Sequence, residues 1–252
     1  MTVLAVEFPP IDHLTRWGDI GPGGLNKVGL IYIFAMAATL TLFLVAGSKK
    51  QMVPRGIQNI AESSVDFVRN QIIMQTIGPD GLGYLPLLAT MFFFIFFSNI
   101  TEIIPFVQFP ANARFAMPIA LALMVWVIFN VVGIMKQGPI HYVKNSVVPP
   151  GVPKAILPLV VIIEIVSVFL VRPFSLAVRL FANMLAGHLI LVTFSVLCAA
   201  LFAKSITLVI LPFAFALLVG LTGFEILVSF LQAFIFTILA AVYIGSSMHP
   251  EH

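Results

Sequence analysis

The run from Ala155 to Phe202 is 48 residues long and carries only Glu164, Arg172, Arg179 and His188 as charged or imidazole side chains. As one helix it would be about 70 Å long, more than twice the roughly 30 Å hydrocarbon core of a bilayer. A second run, Ile206 to Gly245, has 40 residues and would reach roughly 60 Å. Each run either folds back into two crossings or forms one strongly tilted helix. No polar turn splits either of them, and Pro173 and Pro212 suffice only to kink a helix. Two long tilted helices joined at Ala203-Lys204-Ser205 are therefore predicted.

The rest of the chain fits an all-α polytopic membrane protein occupying residues 1–252 as a single integral membrane domain. It is 60% hydrophobic and 9% charged, against about 25% charged in a soluble domain. The net charge of +3 is too modest and too dispersed to suggest nucleic acid, whereas lipid is an obligatory neighbour. The lone Cys198 excludes an internal disulfide or a cysteine metal cluster. No residue pattern suggests a metal or a cofactor. A GxxxxGK[ST] loop is absent, so ATP hydrolysis is not expected of this chain.

In chain order, residues 1–26 form a polar, turn-rich segment containing the GPGG at 21–24. Spans are predicted over 28–46, 84–104 and 115–135, each long enough to cross. Between the first two, residues 57–77 place Ile57, Ile60, Ala61, Val68 and Ile72 at helical spacing, with Asn59, Glu62, Asp66 and Arg69 on other faces. That pattern predicts an amphipathic helix lying in the membrane interface. Residues 137–154 read as a loop. With the long runs 155–202 and 206–245, five crossings result. The loops holding Lys49, Lys50, Arg55 and Arg69, and then Lys136, Lys144 and Lys154, share one side, and only Arg114 and Lys204 mark the opposite loops. The richer side is cytoplasmic by the positive-inside rule. The amino terminus faces outward and the MHPEH tail faces the cytoplasm.

Arg179 is the residue that most needs an explanation. An arginine near the bilayer centre costs at least about 2.5–3.5 kcal/mol and cannot deprotonate to escape. A carboxylate or water must compensate it, and an ion pair with Glu164 or Glu225 is one solution. Ser175, Arg179, Asn183 and Gly187 recur every four residues as one stripe, with Ala182 and Ala186 beside it offering close approach to a partner. His188 falls about half a turn from Arg179. Glu164 and Ser167 share a face nearer the cytoplasmic end. On the last run, Thr222, Glu225, Ser229 and Gln232 form another stripe. Ionisable groups thus stand at staggered depths, as a proton path requires. Asn183 and Gln232 also fit ordinary interhelical hydrogen bonding, Arg172 fits snorkelling or lipid binding, and Glu102 fits an interfacial anchor. A secondary transporter would bury such groups too, but repeated halves are lacking. A non-catalytic membrane assembly protein would not need them at several depths.

At these residues the chain resembles the subunit a family of the bacterial rotary (F-type) ATP synthase membrane sector. The similarity lies in RLFANMLAGHL at 179–189, LQAFIFTILAAVY at 231–243, IxEIVS around Glu164 and NITEIIPF at 99–106. The mix of features is similar to actinobacterial members. The resemblance implies a non-catalytic proton-channel stator in a bacterial plasma membrane. Its implied partners are a ring of c subunits facing Arg179, a peripheral-stalk b-type subunit and the remainder of the synthase. It also implies an outer half-channel bordered by Asn183, His188, Glu225, Gln232 and Glu102, and a cytoplasmic one with Glu164 and Ser167. Many bacterial members carry the acid on the arginine helix and the histidine on the last. Here His188 and Glu225 are exchanged, as in mitochondrial members, and they are expected to act as a neighbouring pair. Residues 164–173 are one residue longer than the family pattern.

Overall fold

The computed structural model describes residues 26–48, 56–104, 107, 109–148, 153, 156–202 and 209–248. The polar segment 1–25, Lys49, Lys50, Arg55, Lys154, the joint Ala203-Lys204-Ser205 and tail residues 249–252 lie outside them. Among the described residues every regular element is helical. We label the main helices α1 (Lys27–Ser48), α2 (Ile57–Val68), α3 (Leu85–Ile100), α4 (Ala116–Gln137), α5 (Pro139–Val147), α6 (Leu157–Phe202) and α7 (Leu211–Met248). Five runs are long and apolar enough to cross a membrane: those holding α1, α3, α4, α6 and α7.

The last helix is central. α7 packs against α3, α4 and α6, and α1 lies on the far side of α3. Leu88 and Ile95 of α3, Val125 and Phe129 of α4, and Leu176 and Leu180 of α6 share one core with Ala233, Ala240 and Ala241 of α7. The alanines let the neighbouring backbones come close, which is how apolar helices gain packing energy in lipid. α6 and α7 form the expected long helical pair.

The amphipathic stretch forms a helix, but its predicted apolar stripe is divided. Ile57 and Ile60 are exposed while Ala61 and Val68 are buried, and the chain runs on through a π-helical turn, Arg69–Ile73, that packs on α7.

Three local features depart from, or refine, the sequence expectations. Residues 137–154 are not simply a loop, because they contain α5. Gly138 ends α4 at φ 81, its N–H donating to the Ile134 carbonyl at 2.9 Å, and Pro139 opens α5 at a position where its missing N–H is harmless. The Tyr142 ring lies so close to Gly133 that an added Cβ there would overlap it. The Tyr142 hydroxyl donates to Asn130 Oδ1 at 3.1 Å.

The second departure is at α3, which stops at Ile100 rather than continuing to Ile104. Residues 101–104 turn back through i→i−3 contacts, Glu102 N–H to the Asn99 carbonyl and Ile103 N–H to the Ile100 carbonyl. Glu102 therefore sits beyond the helix end.

Within α6, Ser167–Val171 forms a π-helical turn. A π turn adds one residue to a helix without breaking it. It also widens the backbone where the Pro173 ring would crowd the carbonyl of Phe169. Trp126 of α4 secures this turn, its Nε1–H donating to the Val168 carbonyl at 3.3 Å and its ring meeting Phe169 edge-on.

Candidate functional site

The polar stripes of α6 and α7 meet along the seam between these helices. Asn183 Nδ2 donates to Gln232 Oε1 at 2.7 Å. One turn further along α6, Gly187 faces Glu225. A Cβ at Gly187 would sit 2.6 Å from the Glu225 carboxyl carbon, so glycine is what leaves room for that carboxylate. Glu225, Ser229 and Gln232 are all buried, and Gln232 Nε2 has no hydrogen-bond partner among the described residues. A buried side-chain NH2 left without a partner is uncommon in a folded interior.

His188, the next residue, points elsewhere. Its Nδ1 lies 3.3 Å from Glu102 Oε1, and both side chains are almost fully buried. The partner of His188 is thus Glu102, not Glu225 as the exchanged pair suggested. The reason is angular: Gly187 presents itself to α7, and the following residue is rotated about 100° toward the end of α3. Glu102 and Glu225 thus gather around Gly187 and His188 of α6, Glu102 at the imidazole and Glu225 at the glycine.

Arg179 stands apart from this cluster. It is half-buried, and it makes no ion pair or hydrogen bond with any of the described residues. The structural ion pairs considered for it, with Glu164 or Glu225, are not formed. Ala182 and Ala186 beside it are exposed, as is Asn183. Toward the start of α6, the Arg172 guanidinium lies over the Tyr243 ring at 5.2 Å, a cation–π contact in place of a carboxylate. Glu164 and Ser167 are half-buried, before and at the start of the π turn, with no hydrogen-bond partner for either side chain among the described residues.

The sequence reading brought forward every member of this cluster but not the residues behind it. Ser98 and Asn99 of α3, Asn112 and Tyr32 form a buried network at the root of Glu102. Asn99 belongs to the NITEIIPF stretch. Asn112 and Tyr32 carried no local signal, because their partners are distant in sequence.

Helices long enough to cross a bilayer, with an arginine, an imidazole and two carboxylates turned into or along the bundle, define a membrane protein that handles charge within its transmembrane region. The family model described as ATP synthase A chain matches residues 29–245. Relatives named ATP synthase subunit a are similar over nearly the whole chain. That of Frankia alni is 44% identical over 248 residues, covering 94% of this chain and 84% of the relative. That of Rhodococcus erythropolis is 42% identical over 234 residues, covering 92% and 85%. One from Rhodopseudomonas palustris is 43% identical over 225 residues, covering 88% and 87%. The chain belongs to the ATP synthase A chain family, the proton-translocating subunit a of the synthase membrane sector.

Proposed function

We propose that this chain is the proton-channel stator of a bacterial rotary ATP synthase, offering two offset half-channels to a ring of c subunits. Arg179 faces the ring carboxylates and separates the two routes. The outer route runs past Glu102, His188, Glu225, Gln232 and Asn183, and the cytoplasmic route past Glu164 and Ser167. The protein crosses the plasma membrane with its amino terminus outside and its carboxyl terminus in the cytoplasm. It is held by a peripheral-stalk b-type subunit and the remainder of the synthase. Catalysis on ATP belongs to other subunits.

The observation that carries this reading is the state of Arg179. A guanidinium in the middle of α6 stays charged, and a permanent charge at that depth is sustained by a carboxylate or by water. The buried carboxylates among the described residues lie elsewhere: Glu102 beside His188 and Glu225 against Gly187. The face beside Arg179 is lined by exposed Ala182 and Ala186, small enough for another helix to come close. A carboxylate brought by that helix would answer the charge. It would be held ionised opposite Arg179 and would reload from a half-channel once carried past it.

The test is cysteine cross-linking in the assembled complex. Ala182→Cys and Ala186→Cys should form disulfides with cysteines placed beside the c-subunit carboxylate. Leu180→Cys, whose side chain is buried in the bundle, should not. Cross-linking from Leu180 with none from Ala182 or Ala186 would overturn the assignment of this face.

A further inference from the structure

Glu102 is aimed by something other than its own helix. α3 ends two residues earlier, at Ile100. The Glu102 Oε1 atom meets His188 at 3.3 Å without completing a hydrogen bond, so this oxygen is not anchored through its tip. The turn that carries it is held at its root instead, by a side chain from a different segment. Asn112 lies in the short 3-10 turn Ala111–Ala113 and is fully buried. Its Nδ2 donates to Ser98 Oγ at 2.9 Å and to Asn99 Oδ1 at 2.6 Å, tying both side chains at the end of α3. The Tyr32 hydroxyl of α1 shares its one proton between the Ala111 carbonyl at 2.9 Å and Asn112 Oδ1 at 3.1 Å.

The network continues toward Glu102. The Ser98 hydroxyl donates to the Ile95 carbonyl at 2.9 Å, and the Thr101 hydroxyl donates to the Ser98 carbonyl at 2.8 Å. The Glu102 N–H donates to the Asn99 carbonyl at 3.1 Å. Ser98, Asn99, Thr101, Glu102 and Asn112 are all excluded from solvent. A small apolar cluster of Val28, Ile31, Phe109 and Ala111 adjoins the network at Ala111. Every donor of the Asn112 amide is used and its acceptor is taken, the condition under which a buried polar network fixes one geometry. Without that amide, two buried oxygens lose their donor, and the turn can repair the loss only by moving.

We infer that Asn112, backed by Tyr32, is a positioning residue for proton transfer at Glu102, setting the direction from which the carboxylate meets His188. The inference rests on the proposed outer half-channel. A side chain that acts only through Glu102 loses its influence once Glu102 no longer titrates, whereas one that merely supports folding does not.

The experiment is a double-mutant cycle on the whole synthase in inverted membrane vesicles. ATP synthesis driven by an imposed proton gradient is measured per assembled complex. Asn112→Ala should slow synthesis about fivefold in the otherwise native protein, as expected for coupled neighbours. In a Glu102→Gln background, itself slowed, it should change the rate by less than about 1.5-fold, the additive case being excluded by coupling. Tyr32→Phe, which deletes one hydroxyl, carries the same cycle with a smaller loss should Asn112→Ala fail to assemble. Equal fold losses in both backgrounds would overturn the positioning role and leave the half-channel reading standing. A Glu102→Gln protein with native synthesis would overturn both.

Discussion

Gly187→Ala is the smallest change that reaches the chemistry of the site without touching a titratable residue. The new methyl carbon would lie 2.7 Å from Glu225 Oε2 and 2.6 Å from the carboxyl carbon, where ordinary contact begins at 3.4 Å. The carboxylate must therefore retreat by about 1 Å, the distance set by its nearer oxygen Oε1, an overpacking that a flexible side-chain end relieves more cheaply than a helix does. Forcing the Glu225 torsions off their preferred wells costs about 0.5–1.5 kcal/mol. That range corresponds to a roughly two- to twelvefold loss in the population of the native carboxylate position. The helices need not part, so assembly should be near native while proton-driven ATP synthesis falls within that range. Both are measured on the same vesicles, synthesis being normalised to complex content. Glu225→Asp in the Gly187→Ala background withdraws the carboxyl by one methylene and should recover part of the rate. Native synthesis by Gly187→Ala would refute the reasoning, as would a double variant no faster than Gly187→Ala alone.

Two further outcomes follow from the same contacts. His188→Ala and Glu102→Gln should be non-additive, the double variant synthesising ATP no more slowly than the worse single one, because the two side chains touch at 3.3 Å and act together; independent, multiplying losses would dissolve the pair. Gly133→Ala should push the Tyr142 ring away from α4 and lower stability by about 1–3 kcal/mol. This is read as a lower melting temperature of the detergent-solubilised complex that Tyr142→Ala in the same background partly corrects; an unchanged melting temperature would contradict the contact.

What the sequence disclosed and what it hid have physical reasons. Hydropathy located the five apolar runs because a bilayer imposes length and polarity on every crossing segment. The amphipathic stretch after the first span was legible because Ile57, Ile60, Ala61 and Val68 recur at helical spacing. α5 was not, since Tyr142 is its one buried residue and a single anchor leaves no stripe to detect. The early end of α3 was hidden for the opposite reason: Ile103 and Ile104 continue the apolar run after the helix has turned. In the site, the stripe through Arg179 and Asn183 and the stripe through Glu225 and Gln232 could each be read from spacing within one helix. The His188 partner could not, because it depends on how α6 is rotated against α3, and spacing within one helix says nothing about rotation between two. The π turn at Ser167–Val171, fastened by Trp126, shows only in the backbone.

The central claim is that the charge of Arg179 keeps protons from crossing unless the ring turns. A proton that falls through 100 mV releases about 2.3 kcal/mol, and that energy reaches the soluble head only if direct passage between the two routes is closed. The decisive measurement is proton leak through whole synthase in sealed vesicles with the head locked by a non-hydrolysable nucleotide, so that rotation is stopped. The native protein should be tight under an imposed potential. Arg179→Ala should leak and should make no ATP once the lock is removed. Arg179→Lys keeps a charge but loses the planar guanidinium, and its pKa can fall on burial, so it should be tighter than Arg179→Ala while synthesising poorly. Locked Arg179→Ala complexes as tight as the native ones, or native synthesis from the same variant, would contradict the account.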